Sequence, residues 1–198
     1  MKKVTKIMAF LFLAGTMTTA TVSCSSDDGG SSGLSKSWKI DGKLFKQAFC
    51  VGEEDDENGH FNLYAMDESM SGDVFFVQFP AKPTSNRTYN LKNAEDFENG
   101  DVNELAPNEA VVVLREMVDG VEMDQMIKNS GATISVTVSG GKVSVTLPET
   151  DAYRYENHGD VHDLDQLPVV KVEGNIVETG LPGGPSAGKM NIKNLIRK

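Results

Sequence analysis

The 198-residue chain contains only two cysteines, three histidines and one tryptophan. Cysteines at 24 and 50 alone exclude a multi-bridge disulfide framework and any all-thiolate zinc site. Basic residues are also scarce: 19 Lys and Arg stand against 29 Asp and Glu, a formal net charge of −10. A surface of that sign repels phosphate backbones and anionic headgroups, which excludes nucleic acid as a partner. Apolar runs are short. Residues 7–14 form a run of eight, against the roughly 18–20 needed to span a bilayer as a helix. No segment shows the apolar period of a long amphipathic helix, and no internal repeat is present.

What the chain does contain is alternation. In residues 132–148, Ile134, Val136 and Val138 alternate with Thr133, Ser135 and Thr137. After Gly140-Gly141, Val143, Val145 and Leu147 alternate with Lys142, Ser144 and Thr146. Period two is the mark of a half-buried strand. Gly-Gly admits the positive φ of a tight hairpin turn. The expected register pairs Val138 with Val143, Val136 with Val145 and Ile134 with Leu147. The six apolar side chains then lie on one face and the hydroxyls on the wet one.

The rest of the chain obeys the same logic. Residues 37–45 predict a strand, an Asp41-Gly42 turn and a second strand. Phe45, Gln47, Phe49 and Val51 continue the alternation, residues 53–59 form an acidic turn, and Phe61, Leu63 and Ala65 alternate on the way back. Residues 74–79 are nearly continuous in apolar side chains, which predicts an inner strand ended by Pro80 and Pro83. Further strands are expected at 87–91, 110–117, 121–127 and 167–179, with long polar loops at 92–108 and 150–166. The sum is an all-β domain of roughly eight to ten strands: an antiparallel β-sandwich or a flattened, lipocalin-like barrel. Its expected bounds are 37–180, with a Gly/Pro-rich basic tail at 181–198.

The N-terminus has a separate logic. Lys2, Lys3 and Lys6 precede the apolar run, and Thr21-Val22-Ser23-Cys24 comes after it. This arrangement resembles the signal peptide and lipobox of bacterial lipoproteins, although Thr21 stands where Leu is usual. The resemblance implies that residues 1–23 are removed, that Cys24 is acylated with a chain such as palmitate, and that residues 24–36 form a tether. Ser26-Asp27-Asp28 resembles the export signal of surface lipoproteins of Bacteroidota. Loss of three lysines and no acids takes the net charge from −10 to −13. Membrane attachment then falls to the lipid rather than to the folded surface. Within the domain, Trp38-Lys39-Ile40-Asp41-Gly42-Lys43, residues 130–134 and 141–145, and a closing Val172-Glu173-Gly174 strand resemble small lipocalin-like or sandwich lipoproteins of Bacteroidota. That resemblance implies a fold and a location (the outer membrane, lipid-anchored at the cell surface or on its periplasmic face). It implies no functional residue in the domain.

Candidate chemistry is sparse. His158 and His162, with Asp160 between them, are the residues best suited to a metal, but Gly159 and the neighbouring acids favour a solvated loop. Residues 53–59 offer oxygen ligands without the alternating spacing of a calcium loop. Residues 183–189 match G-x-x-x-x-G-K, but Met190 stands where a phosphate-binding loop needs Ser or Thr. Gly184, Ser186 and Gly188 have nucleophile-elbow spacing, with no His or acid after them in this sequence. Cys50, between Phe49 and Val51, is expected as a buried thiol, with His60 too weak a reason to read it as a nucleophile. No cofactor is implied. The expectation is a non-catalytic envelope lipoprotein whose domain binds a small molecule, a glycan or a protein. A structural role in the envelope and a hydrolase with an unrecognised acid pair are the alternatives.

Overall fold

The computed structural model describes residues 36–55, 59–98, 104–157 and 163–180. The elements in chain order are β1 (Ser37–Ile40), β2 (Lys43–Glu54), β3 (Phe61–Asp67), β4 (Val74–Phe79), β5 (Arg87–Leu91), α1 (Ala94–Glu98), β6 (Glu109–Val118), β7 (Val121–Ile127), β8 (Thr133–Ser139), β9 (Lys142–Glu156), a 3-10 turn (Leu164–Gln166) and β10 (Val169–Val177).

All ten strands among the described residues belong to one mixed sheet. β10 pairs with β1, and β1, β2, β3, β4 and β6 are successive neighbours. Beyond β6 the path divides. The second half of β6 pairs with β7, while its first residues pair with β5, which leads to β8. Both β7 and β8 pair with β9, and β9 pairs with β10. The ladders therefore return to their start, and β1 and β10 each have a partner on both sides.

The inner face of this circuit holds one core. Trp38, Phe45, Leu63, Phe75, Val77, Leu114, Ile127, Ile134, Val145, Val172 and Ile176 all belong to it. Trp38 stacks on Phe45 and Phe75 with ring centroids 5.7 and 6.2 Å apart. Phe79 meets Tyr89 edge-on at 4.9 Å. Such aromatic pairs add about 0.5–1.5 kcal/mol each beyond the area they bury.

The turns are set by local chemistry. Asp41-Gly42, Asp119-Gly120 and Gly140-Gly141 all have positive φ at both positions, the requirement of a two-residue hairpin of the favoured twist. The Gly140-Gly141 hairpin has the expected register from Ser139–Lys142 to Ser135–Thr146. Ile134, Val136, Val143, Val145 and Leu147 are buried, and Ser135, Thr137 and Thr146 are exposed.

The structure corrects four expectations. The β8–β9 ladder ends at Ser135–Thr146, one pair short of Ile134–Leu147, where β9 parts from β8 on its way to pairing with β7. The sheet is not wholly antiparallel, since β5 and β6 run parallel. The loop expected at 92–108 contains α1, opened by reciprocal hydrogen bonds in which Asn93 N–H donates to Asp96 and Asp96 N–H donates to Asn93 Oδ1. The loop expected at 150–166 begins late, because β9 runs on to Glu156. Pro148 does not end β9: between the Leu147–Gly174 and Thr150–Val172 pairs, two residues of β9 face one of β10. A bulge accommodates a residue that has no N–H to donate.

Candidate functional site

Most of the sheet's outer face is wet. On β8 and β9, Ser135, Thr137 and Thr146 point outward and are exposed, as are Thr88 and Asn90 on β5. The outer face of β2, β3, β4 and β6 is different. Reading the ladders across the strands gives one row of Val51, Tyr64, Phe76, Val113, Met126, Tyr153 and Val169. The next row runs Phe49, Met66, Val74, Arg115, Asp124 and Tyr155. None of these side chains belongs to the inner core. The sheet thus carries a second apolar surface, contiguous over seven strands, on its outside.

One half of this belt is covered. Ala94 of α1 and Leu164 of the 3-10 turn cluster with Met126, Tyr153 and Tyr155, and Leu167 packs against them. The two short helical elements therefore close over β7 and the upper part of β9. The other half, on β2, β3 and β4, presents Phe49, Val51, Tyr64, Met66 and Phe76, each partly exposed. Tyr64 and Phe76 lie tilted against each other at 5.1 Å. These five side chains lie side by side on three neighbouring strands, where most of the outer face is polar. Burial and then the nearby carboxylates of Glu53 and Asp55 push the Tyr64 phenol up to about 12.

A buried ion pair divides the two halves. Arg115 donates from Nε to Asp124 Oδ1 at 2.6 Å and from its terminal nitrogen to Oδ2 at 2.8 Å, while its other terminal nitrogen meets Glu122 at 2.8 Å. Burial works against the guanidinium charge, but the hydrogen bond and charge of Asp124, with Glu122, outweigh it and raise its pKa. Bidentate geometry makes this a positioning contact between β6 and β7. Replacing one partner alone leaves a buried charge, at a cost of about 3–5 kcal/mol. The Tyr155 hydroxyl beside it is buried, and burial and then Asp124 hold it well above the ordinary phenol range. Glu116 faces inward at the same end and is ion-paired with Arg154 and, at 3.5 Å, with Lys43. These groups close one end of the core with charge.

The sequence candidates fall elsewhere. Cys24, Ser26, Asp27 and Asp28 lie outside the described residues, as do His158, Asp160, His162 and residues 183–189. Of the acidic turn, Glu53 and Glu54 belong to β2 and pair with Asn62 and Phe61. Among the described residues no group of three or more His, Cys, Asp or Glu side chains is placed to hold a metal ion. Cys50 is fully buried, and burial and then the charge of Glu178 push its thiol up to about 12. It pairs with Ala65, five residues along the chain from His60, which precedes β3, or about 17 Å at strand rise. No thiol–imidazole pair forms between them.

Sequence reasoning missed the outer belt. A signal was present: residues 110–114 and 74–77 are apolar at both parities, and Tyr64 and Met66 stand at the positions between Leu63 and Ala65 and after it. Two-faced apolar strands imply two buried faces. No family model matches the chain, and neither a curated protein nor a solved structure matches it.

Proposed function

We propose that this chain is a non-catalytic lipoprotein of the bacterial envelope, anchored through Cys24 in the outer membrane at the cell surface, whose β-domain binds a partner protein. The observation that carries the binding reading is the partly exposed half of the outer belt, where Phe49, Val51, Tyr64, Met66 and Phe76 lie side by side on β2, β3 and β4. Aromatic and aliphatic side chains held on a rigid sheet are the material of interface centres. The stacked rings of Trp38, Phe45 and Phe75 occupy the inside of the circuit, which favours a partner on the surface over a small molecule held within. The basic start, short apolar run and Ser23-Cys24 junction support the anchor.

Two experiments test this. Cys24→Ala should move the protein out of the membrane fraction, and retention there would refute the anchor. A photo-crosslinking phenylalanine analogue placed at Phe76 in cells should give a discrete protein adduct. The same analogue at Thr137, on the wet face, should give none. Equal adducts at both positions, or none at either, would refute the binding face.

A further inference from the structure

The end of β10 brings the chain to the partly exposed half of the belt. Thr179 and Gly180 donate their N–H groups to Cys50 O at 2.9 and 3.0 Å. Cys50 sits on β2 between Phe49 and Val51, the first two members of the apolar rows. Gly180, the last described residue, therefore lies at the edge of that patch. The sequence after it is chemically opposite to the domain. Residues 181–198 contain four basic residues, Lys189, Lys193, Arg197 and Lys198, and no acid. Met190, Ile192, Leu195 and Ile196 lie among them. The patch is apolar and bordered by Glu53 and Asp55, whose charges reach the Tyr64 ring.

Reach is sufficient. Residues 181–188 span at most about 26–29 Å when extended. Crossing from β2 to β6 takes three strand spacings, about 14 Å. Eight residues are long enough for residue 189 to reach any part of the patch. A tethered segment also binds at a high effective concentration, so weak contacts suffice.

We propose that the segment 189–198 docks in its own chain on the outer face of β2, β3, β4 and β6, with its apolar side chains on Val51, Tyr64, Phe76 and Val113 and its cations toward the acidic border. This rests on the reading of that face as a docking surface, and it makes the tail a competitor of the partner.

The test uses the full chain with Cys24→Ser and a spin label on Asn194→Cys; buried Cys50 stays unlabelled at neutral pH. Resonances of Val51, Tyr64, Phe76 and Val113 should lose intensity, and those of Thr137 and Thr146 should not. Ile192→Asp with Leu195→Asp should restore the lost signals without touching the described sheet. High salt should restore part of them, because the Debye length falls to about 3 Å at 1 M. Loss seen only in a mixture of spin-labelled and isotope-labelled chains would overturn docking within one chain, and loss elsewhere or nowhere would overturn the proposal outright. The crosslink at position 76 separates the two readings. If the tail does not dock but a partner does, the adduct forms equally with and without the tail substitutions. If no partner exists but the tail docks, the signal loss remains and neither form gives an adduct to another protein.

Discussion

Val145 and Thr146 are neighbours on β9 with opposite fates. Val145 is fully buried and pairs with Val136, whereas Thr146 is exposed and pairs with Ser135. Val145→Ala removes two methyl groups from the inner core. At about 0.8 kcal/mol per buried methylene, the transfer loss is about 1.6 kcal/mol. Incomplete collapse of the cavity raises the expected cost to about 2–3 kcal/mol. Thr146→Ala removes an exposed hydroxyl and methyl, and should cost within about 0.5 kcal/mol. For a domain of this size, where about 2–4 °C corresponds to each kcal/mol, Val145→Ala should lower Tm by about 4–12 °C. Urea unfolding should show a lower midpoint with an unchanged slope, because the surface exposed on unfolding is the same. Equal effects at the two positions would mean that the hairpin's outer face is covered. A larger effect at Thr146 would mean a one-residue slip of register. Either result would refute the placement of this hairpin.

Gly174 lies opposite Trp38, and a Cβ there would stand 2.7 Å from Trp38 Cβ and 3.3 Å from its Cα. Gly174→Ala should therefore push β1 from β10 and cost about 1–3 kcal/mol in denaturant melts; a neutral substitution would refute that close approach. Alkaline pH offers a second check. The Cys50 thiol is raised from 9.0 to about 12 and the Tyr64 phenol from 10.0 to about 12, so the unfolded chain ionises first. Stability should be level below pH 9 and fall as pH rises toward 12, with a shallower fall in Cys50→Ala, as read from urea midpoints. No fall between pH 8 and 11 would contradict the burial of Cys50 and the partial burial of Tyr64. Calorimetry with zinc at neutral pH should show no tight binding despite His158 and His162. A sub-micromolar, one-to-one isotherm abolished by His162→Ala would overturn that expectation.

Period-two alternation within a strand is a local property, and it determined much of this domain. The Gly140-Gly141 hairpin, its register near the turn and its wet face come from side chains a few residues apart, as do the Asp41-Gly42 and Asp119-Gly120 turns. The burial of Cys50 was also legible from its apolar neighbours. The share decided by tertiary structure runs across strands, at right angles to the chain. That Val51, Tyr64, Phe76 and Val113 form one row depends on which strand lies beside which, and those partners come from four separate stretches of sequence. Arg115 and Asp124 look like two ordinary strand charges until the β6–β7 register sets them face to face. Pro148 reads locally as a strand end. β9 continues past it because Tyr153 and Tyr155 find β7 on one side and a bulge opposite Glu173 absorbs the missing donor on the other. A strand's own pattern fixes which side chains share a face. Only the long-range pairing fixes what each face meets, because the free energy of covering it comes from residues that the local sequence does not contain.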